Sequence, residues 1–276
     1  MGALTDWVGG GADRLVWLES AGYARAVFAA QAGADWSDPR TVVPATRQAQ
    51  QLVRSDVVEV DVVGVVVGWR RQVDGHDGLI AAIRDPRGTA RLVEMVEALA
   101  HAVPSADLAL CCPDPYDLWR DWGAAPRAEP HPYDLDDIAD ALVEGLRAVS
   151  DRPVDALVIQ ASSPRDSSLE SWQTLTAAAG HYRWPVAVRF PGPEAPDVMP
   201  DLPGDLLLLP EAPAAALRDF PRVGGGLPRR SWSPGAEGDF DAGALHPFVH
   251  AVVPSDEDPA WVLNRLTTLH SGRNRA

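Results

Sequence analysis

Short apolar runs alternate with amphipathic stretches along the whole chain. Eight runs are rich in β-branched or leucine residues: RLVWLE (14–19), VVEVDVVGVVVGW (57–69), DLALCC (107–112), DALVIQAS (155–162), PVAVRF (185–190), DLLLLPE (205–211), VGGGLPRRSW (223–232) and FVHAVVP (248–254). Each predicts a buried strand. Between them GTARLVEMVEALAHAV (88–103), DLDDIADALVEGLRAVS (134–150), SLESWQTLTAAAGHY (168–182) and DPAWVLNRLTTLHSG (258–272) read as helices with one apolar face. In the second, Ile138, Leu142 and Leu146 share that face; Asp134 is its expected N-cap, and Asp258-Pro259 opens the last helix.

Strands that alternate with helices imply a parallel sheet with right-handed crossovers, and a count of eight predicts a closed (β/α)8 TIM-like barrel in one domain over 1–276. A doubly wound sheet is the alternative. No strand leads through GxGxxG into a helix, however, and Gly224-Gly225-Gly226 runs into Leu-Pro-Arg-Arg instead of a pyrophosphate cradle. The GGG at 9–11 makes roughly residues 1–12 an expected flexible segment. Prolines 113, 115, 164, 191, 193, 210, 228 and 254 fall at or just beyond strand ends, which stiffens the C-terminal mouth where such barrels carry their chemistry.

Parity along the strands selects the residues that face this mouth. In PVAVRF, Val186, Val188 and Phe190 share one side and Ala187 and Arg189 the other. With the larger set under helices, Arg189 points into the barrel and needs an anion, either a substrate carboxylate or a structural acid. The same reasoning turns Gln160 and Ser162 inward, as ligand contacts or as parts of an internal hydrogen-bond network. Arg229 and Arg230 with Trp232 form either an anion fork with an aromatic wall or a solvated pair, and Trp69 with Arg70 repeats that pairing across the mouth. His76 in VDGHDG is a candidate acid or base, or simply an exposed loop residue. In CCPDPYDLWRDWG (111–123), Asp114 and Tyr116 sit just past a strand end and suit the lip of a pocket, whereas Asp117 is the expected cap of the helix LWRDW. Asp114, Tyr116 and His76 are the candidate catalytic groups.

Composition narrows the chemistry. All 24 basic residues are arginine, so lysine Schiff-base chemistry and a P-loop are excluded. A net charge of −15 disfavours nucleic acid and anionic membranes, and no apolar run reaches the length of a membrane span. A cytoplasmic location is expected. Cys111 and Cys112, the two cysteines present, cannot build a disulfide framework, and adjacent positions on one strand point to opposite faces and cannot readily share a metal. They read as small buried hydrophobes. No HExxH, GxSxG or kinase signature occurs.

From residue 107 onward the order of segments resembles the barrel shared by cobalamin-independent methionine synthase and uroporphyrinogen decarboxylase. CCPDPYDLWRDWG takes the place of a strand ending in a Gly-Pro-x-Thr-like turn, WPVAVRFPG that of a His-x-Cys strand, and VGGGLPRRSW resembles a Gly-Val-(x)-(x)-Arg-Asn-x-Trp stretch. DLDDIADALVEGLRAVSDRPVDALVIQASSP looks like the helix and strand that end in Asp-Glu-Pro in the synthases, and VVPSDEDPAWVLNRL like the last strand and helix. The resemblance implies a TIM barrel. The synthases' zinc ligands are replaced by Val188-Arg189-Phe190, Gln160-Ala161-Ser162 and Pro254-Ser255, and the decarboxylases' N-terminal arginine motif does not occur. The implied activity is metal-independent acid/base chemistry of decarboxylase or isomerase type on a small acidic organic molecule. The alternatives are a catalytically inactive barrel serving as a partner protein and a methyl or one-carbon transferase without the usual zinc site. No cofactor, nucleic acid or membrane partner is expected; a homodimer is the alternative to a monomer. With an arginine where a zinc ligand would stand, purified protein should carry no stoichiometric zinc by elemental analysis, and a chelator should leave its melting temperature unmoved.

Overall fold

The computed structural model describes residues 2–12, 14–29, 33–68, 73, 75–123, 129–163, 165–192, 204–235 and 246–271. Eight parallel strands form a single-domain (β/α)8 barrel: β1 Leu15–Glu19, β2 Val57–Asp61, β3 Asp107–Pro113, β4 Ala156–Gln160, β5 Val186–Arg189, β6 Leu206–Pro213, β7 Val223–Gly226 and β8 Phe248–Val252. Ladders join them in the order β1-β8-β7-β6-β5-β4-β3-β2. The helices are α1 Ala3–Val8, α2 Ala21–Phe28, α3 Pro39–Val53, α4 Val62–Val67, α5 Gly75–Ile83, α6 Pro86–Ala102, α7 Pro115–Leu118, α8 Pro132–Arg147, α9 Asp166–Tyr182 and α10 Pro259–Ser271.

Strand parity sorts the side chains into two layers. Leu15, Trp17, Val57, Ala109, Cys111, Ala156, Val158, Ala187, Leu206, Leu208 and Phe248 pack on each other inside the barrel. Their neighbours Val58, Val60, Leu108, Leu110, Cys112, Leu157, Ile159, Val186, Val188 and Phe190 pack against the surrounding helices. The two cysteines therefore face opposite layers.

The N-terminus departs from the flexible segment expected of it. Residues 3–8 form α1, Leu4 is fully buried, its N–H donates to Asp107 Oδ2 at 2.7 Å, and the Trp7 ring lies 5.9 Å from that of Phe248. Leu15, Leu206 and Phe248 leave an apolar floor at the strands' N-terminal ends, and covering it is worth more than the freedom of a short tail.

Three further expectations are corrected. The valine run 57–69 is a strand only to Asp61, whose side chain accepts the Gly64 N–H at 2.9 Å and starts α4. Five of the six α4 residues are buried, so packing overrides the β preference of valine. Gly88 of α6 permits the close approach, since a Cβ there would lie 2.4 Å from the Val66 carbonyl oxygen. The segment 223–232 is a strand only to Gly226, followed by a 3-10 turn over Arg229–Trp232. The N-cap of α8 is His131; Asp134 sits three residues on and returns a hydrogen bond to the His131 N–H at 2.9 Å. Among the described residues no helix is long and apolar enough to cross a membrane.

Barrel closure between β1 and β2 uses one backbone bond and several side chains in place of a regular ladder. The Asp56 N–H donates to the Val16 carbonyl at 2.7 Å, and the Val16 N–H donates to Asp56 Oδ2 at 2.9 Å. The Ser55 hydroxyl is inserted between the strands, accepting the Leu18 N–H at 2.8 Å and donating to the Val57 carbonyl at 2.6 Å. This wedge ties the start of β2 to Val16 and Leu18 of β1. Replacing Ser55 with alanine leaves a buried donor and a buried acceptor without their partner, and should cost about 1–3 kcal/mol in a urea titration.

Candidate functional site

Above the apolar interior layers the inward positions turn polar: Glu19 on β1, Glu59 and Asp61 on β2, Cys111 on β3, Gln160 on β4, Arg189 on β5 and His250 on β8. Arg189 is 2% exposed. Its Nη1 lies 2.7 and 2.8 Å from the two Glu59 oxygens and 3.0 Å from Glu19 Oε2. Nε and Nη2 donate to Gln160 Oε1 at 3.0 and 2.7 Å, and Nη2 also lies 3.1 Å from Cys111 Sγ. Burial works against the guanidinium's charge, but Glu59 and Glu19 outweigh it and hold the group above its ordinary pKa. Glu59 is further fixed by the Trp17 indole N–H at 2.7 Å.

The acids outnumber the cation. Burial pushes the Glu19 carboxyl up, with Arg189 pulling the other way and Glu59 and Asp61 adding to the rise. Asp61 is raised as well, by burial first and despite the Gly64 N–H that it accepts. Burial raises the Cys111 and Cys112 thiols, leaving neither as a thiolate at neutral pH. His250 is fully buried, and burial together with Arg189 lowers its pKa to about 3. Its Nδ1 lies 3.0 Å from the Trp17 carbonyl, which can only accept, so Nδ1 carries the proton and Nε2 keeps its lone pair. Nε2 has no hydrogen-bond partner among the described residues.

A cavity of about 370 Å³ lies beside the end of β2, bordered by α2, α3, α4 and α6. Glu59 and Asp61 line it, Val60, Met95 and Leu99 supply apolar surface, and Arg25, Asp35, Trp36, Ser37 and Thr46 also border it. Asp61 is packed deeply enough for burial to raise its carboxyl and is still accessible at the cavity wall. Burial raises Asp35, but the Ser37 N–H and hydroxyl, at 2.9 and 2.6 Å, and Arg91 bring it below its ordinary value.

The residues singled out in the sequence scatter around this centre. Arg189 and Gln160 meet inside the barrel. The structure supplies Arg189 with internal carboxylates, which is the structural-acid alternative. Ser162 lies past β4 on the rim, where its N–H and hydroxyl donate to Asp117 at 2.6 and 2.7 Å. Asp117 is thus inside α7 as a clamp between two strand ends and not the cap expected of it; it also pairs with Arg120 at 2.9 Å. Asp114 is 1% exposed and accepts the Trp172 indole N–H at 2.8 Å, a packing role beneath α9. Tyr116 is buried with the Arg165 guanidinium 4.3 Å above its ring. His76 is on α5, 3.9 Å from Asp137 of α8, among the outer helices. Arg229 pairs with Asp256 at the surface and Arg230 is exposed, whereas Trp232 is fully buried with Val249 and Ala251 in the outer layer and forms no wall of the mouth. Trp69 and Arg70 lie outside the described residues.

Glu19, Glu59, Asp61, His250 and Arg25 were not found by sequence reasoning. Two carry a legible signal: Glu59 and Asp61 alternate with Val58 and Val60, which turns two acids to the face opposite the valines. Replacing Arg189 with methionine strands Glu59 and Glu19, and should destabilise the fold by about 3–5 kcal/mol at neutral pH. Loss of the cation removes the one pull that lowers the Glu19 carboxyl, which burial already raises, and lifts its folded-state pKa further above the unfolded value. The penalty is therefore full above that folded value and lost as pH falls through it toward the ordinary carboxyl value of 4.5. Urea melts of both proteins at neutral pH and near the latter value should show the gap closing.

No family model matches this chain, and no curated protein does. Among solved structures it is similar to the carboxyl transferase domain of Rhizobium etli pyruvate carboxylase, in a Y628A variant with pyruvate, at 10% identity and a TM-score of 0.47 over 98% of this chain and 49% of that one. A T882A variant of Rhizobium etli pyruvate carboxylase with acetyl coenzyme A gives 12% identity and a TM-score of 0.46 over 98% of this chain. The chain spans about half the length of the first, 49%, and 28% of the second.

Proposed function

We propose that this barrel binds a small amine in the cavity beside the end of β2 and performs acid/base chemistry on it through Asp61. One observation carries this reading: Glu19, Glu59 and Asp61 crowd one another with the buried Arg189 among them, and of the two acids that line the cavity, Glu59 and Asp61, the latter is the more exposed. A protonated amine supplies the missing positive charge and a donor to the Asp61 carboxylate. A purely anionic ligand would add a fourth negative charge, and Arg189 has already spent its donors on Glu59, Glu19 and Gln160.

A carboxyl raised by burial holds its proton closer to neutral pH, which suits proton transfer of the isomerase or decarboxylase kind. Asp61, with Glu19 behind it, takes the role assigned from the sequence to Asp114, Tyr116 and His76. The transferase reading lacks an activated nucleophile, because both thiols are pushed up by burial. The likeness to methionine synthase and uroporphyrinogen decarboxylase rests on the order of segments.

Calorimetric titration with straight-chain alkylamines and with alkyl carboxylates of the same length tests the reading. Amines should bind and carboxylates should not, and Asp61→Asn should weaken amine binding about tenfold or more while preserving the melting temperature, since asparagine also caps α4. Binding of carboxylates without amines would overturn it.

A further inference from the structure

The geometry points to a primary ammonium group, RNH3+, shared between Glu59 and Asp61, so that the cavity selects primary amines over N-methylated ones. This rests on the amine reading of the same cavity and adds which amine is taken. Both acids border the cavity and lie two positions apart on β2, which sets their Cα atoms about 6.6 Å apart along the strand. Carboxylates carried at that spacing can reach one nitrogen from two sides, each through a charge-assisted N–H···O bond of about 2.8 Å.

Both acids have acceptor capacity left, out of about four sites per carboxylate, two on each oxygen. Glu59 Oε1 accepts from the Trp17 indole and from Arg189 Nη1, both at 2.7 Å, and Oε2 accepts from the same Nη1 at 2.8 Å. Oε2 therefore keeps an open site, on a carboxylate whose position these bonds fix. Asp61 is held by backbone N–H groups of α4, Gly64 at 2.9 Å on Oδ1 with Val63 beside it, and sites stay open on it as well. Its Oδ2 lies against Gly64, where a Cβ would come within 2.2 Å, and Gly64 itself borders the cavity, so glycine there leaves the oxygen uncovered. A polar occupant is indicated independently from α3. Thr46 borders the cavity and is 9% exposed. Its hydroxyl forms no hydrogen bond among the described residues, not even the bond to the carbonyl four positions back that Thr267 and Thr268 make in α10. A buried hydroxyl left without a partner at a cavity wall fits a hydrogen-bonding ligand and not an apolar one.

Methylation removes N–H donors one at a time: a tertiary ammonium keeps one and satisfies a single acid, and a quaternary ammonium keeps none. The test titrates the full chain calorimetrically at neutral pH with propylamine, N,N-dimethylpropylamine and N,N,N-trimethylpropylammonium. Propylamine should bind about tenfold or more tightly than the dimethyl form, and the trimethyl form should be the weakest. Glu59→Gln keeps one oxygen for Trp17 and Arg189 and replaces Oε2 with an NH2 group that cannot accept. In that variant propylamine and the dimethyl form should differ by about threefold or less. Equal binding of all three probes by the unaltered chain, or a tenfold preference that survives Glu59→Gln, overturns the shared primary ammonium and leaves the amine reading in place. Failure of every amine overturns both. A melting curve of Glu59→Gln checks that the fold persists, and the methylation series on the unaltered chain decides the matter should it not.

Discussion

A guanidinium almost wholly removed from water costs several kcal/mol unless every donor finds an acceptor and a negative charge stands beside it. Arg189 imposes this condition on the upper half of the barrel. Glu59, Glu19 and Gln160 satisfy it from three other strands, Cys111 fills the remaining side, and the arginine in turn holds three carboxyls in a volume where they would otherwise repel. Its field also helps to keep His250 neutral with the Nε2 lone pair directed away from the Trp17 carbonyl. Among the described residues the lower half places no such cation in the barrel: Leu15, Leu206 and Phe248 pack on one another there, with Leu4 against them.

The end of β2 carries that charge cluster to an accessible site, where Asp61 is exposed and borders the cavity with Glu59. Ser55 and Asp56, just before β2, join it to Val16 and Leu18 of β1 mainly through side-chain bonds. Beside the end of β2 the cavity reaches Glu59 and Asp61 among residues of α2, α3, α4 and α6. The capping bond of Asp61 turns the chain into α4, which borders the same cavity. Proline-stiffened loops at the C-terminal ends of the strands, meanwhile, carry clamps such as Asp117 to Ser162 and Arg229 to Asp256, which tie rim to rim.

Strand number, order of elements and parity were legible in the sequence, because burial on a strand alternates with a period of two and needs no knowledge of partners. Arg189 and Gln160 pointing inward on β5 and β4 follows from this alone, as does the separation of Cys111 from Cys112. Glu59 and Asp61 facing opposite to Val58 and Val60 were equally available from the same rule. What a charge pairs with was not: Glu59 meets Arg189 across 130 positions of chain, and only closure of the barrel makes them neighbours. Two local signals were overridden by tertiary burial. Valines 62–67 became a helix because both sides of it are covered, and residues 3–8 became a plug because the barrel floor needed one. The sequence by itself determined which residues face inward; the tertiary structure decided which inward charges cancel and where the wall is open, since both depend on distances between strands remote in the chain.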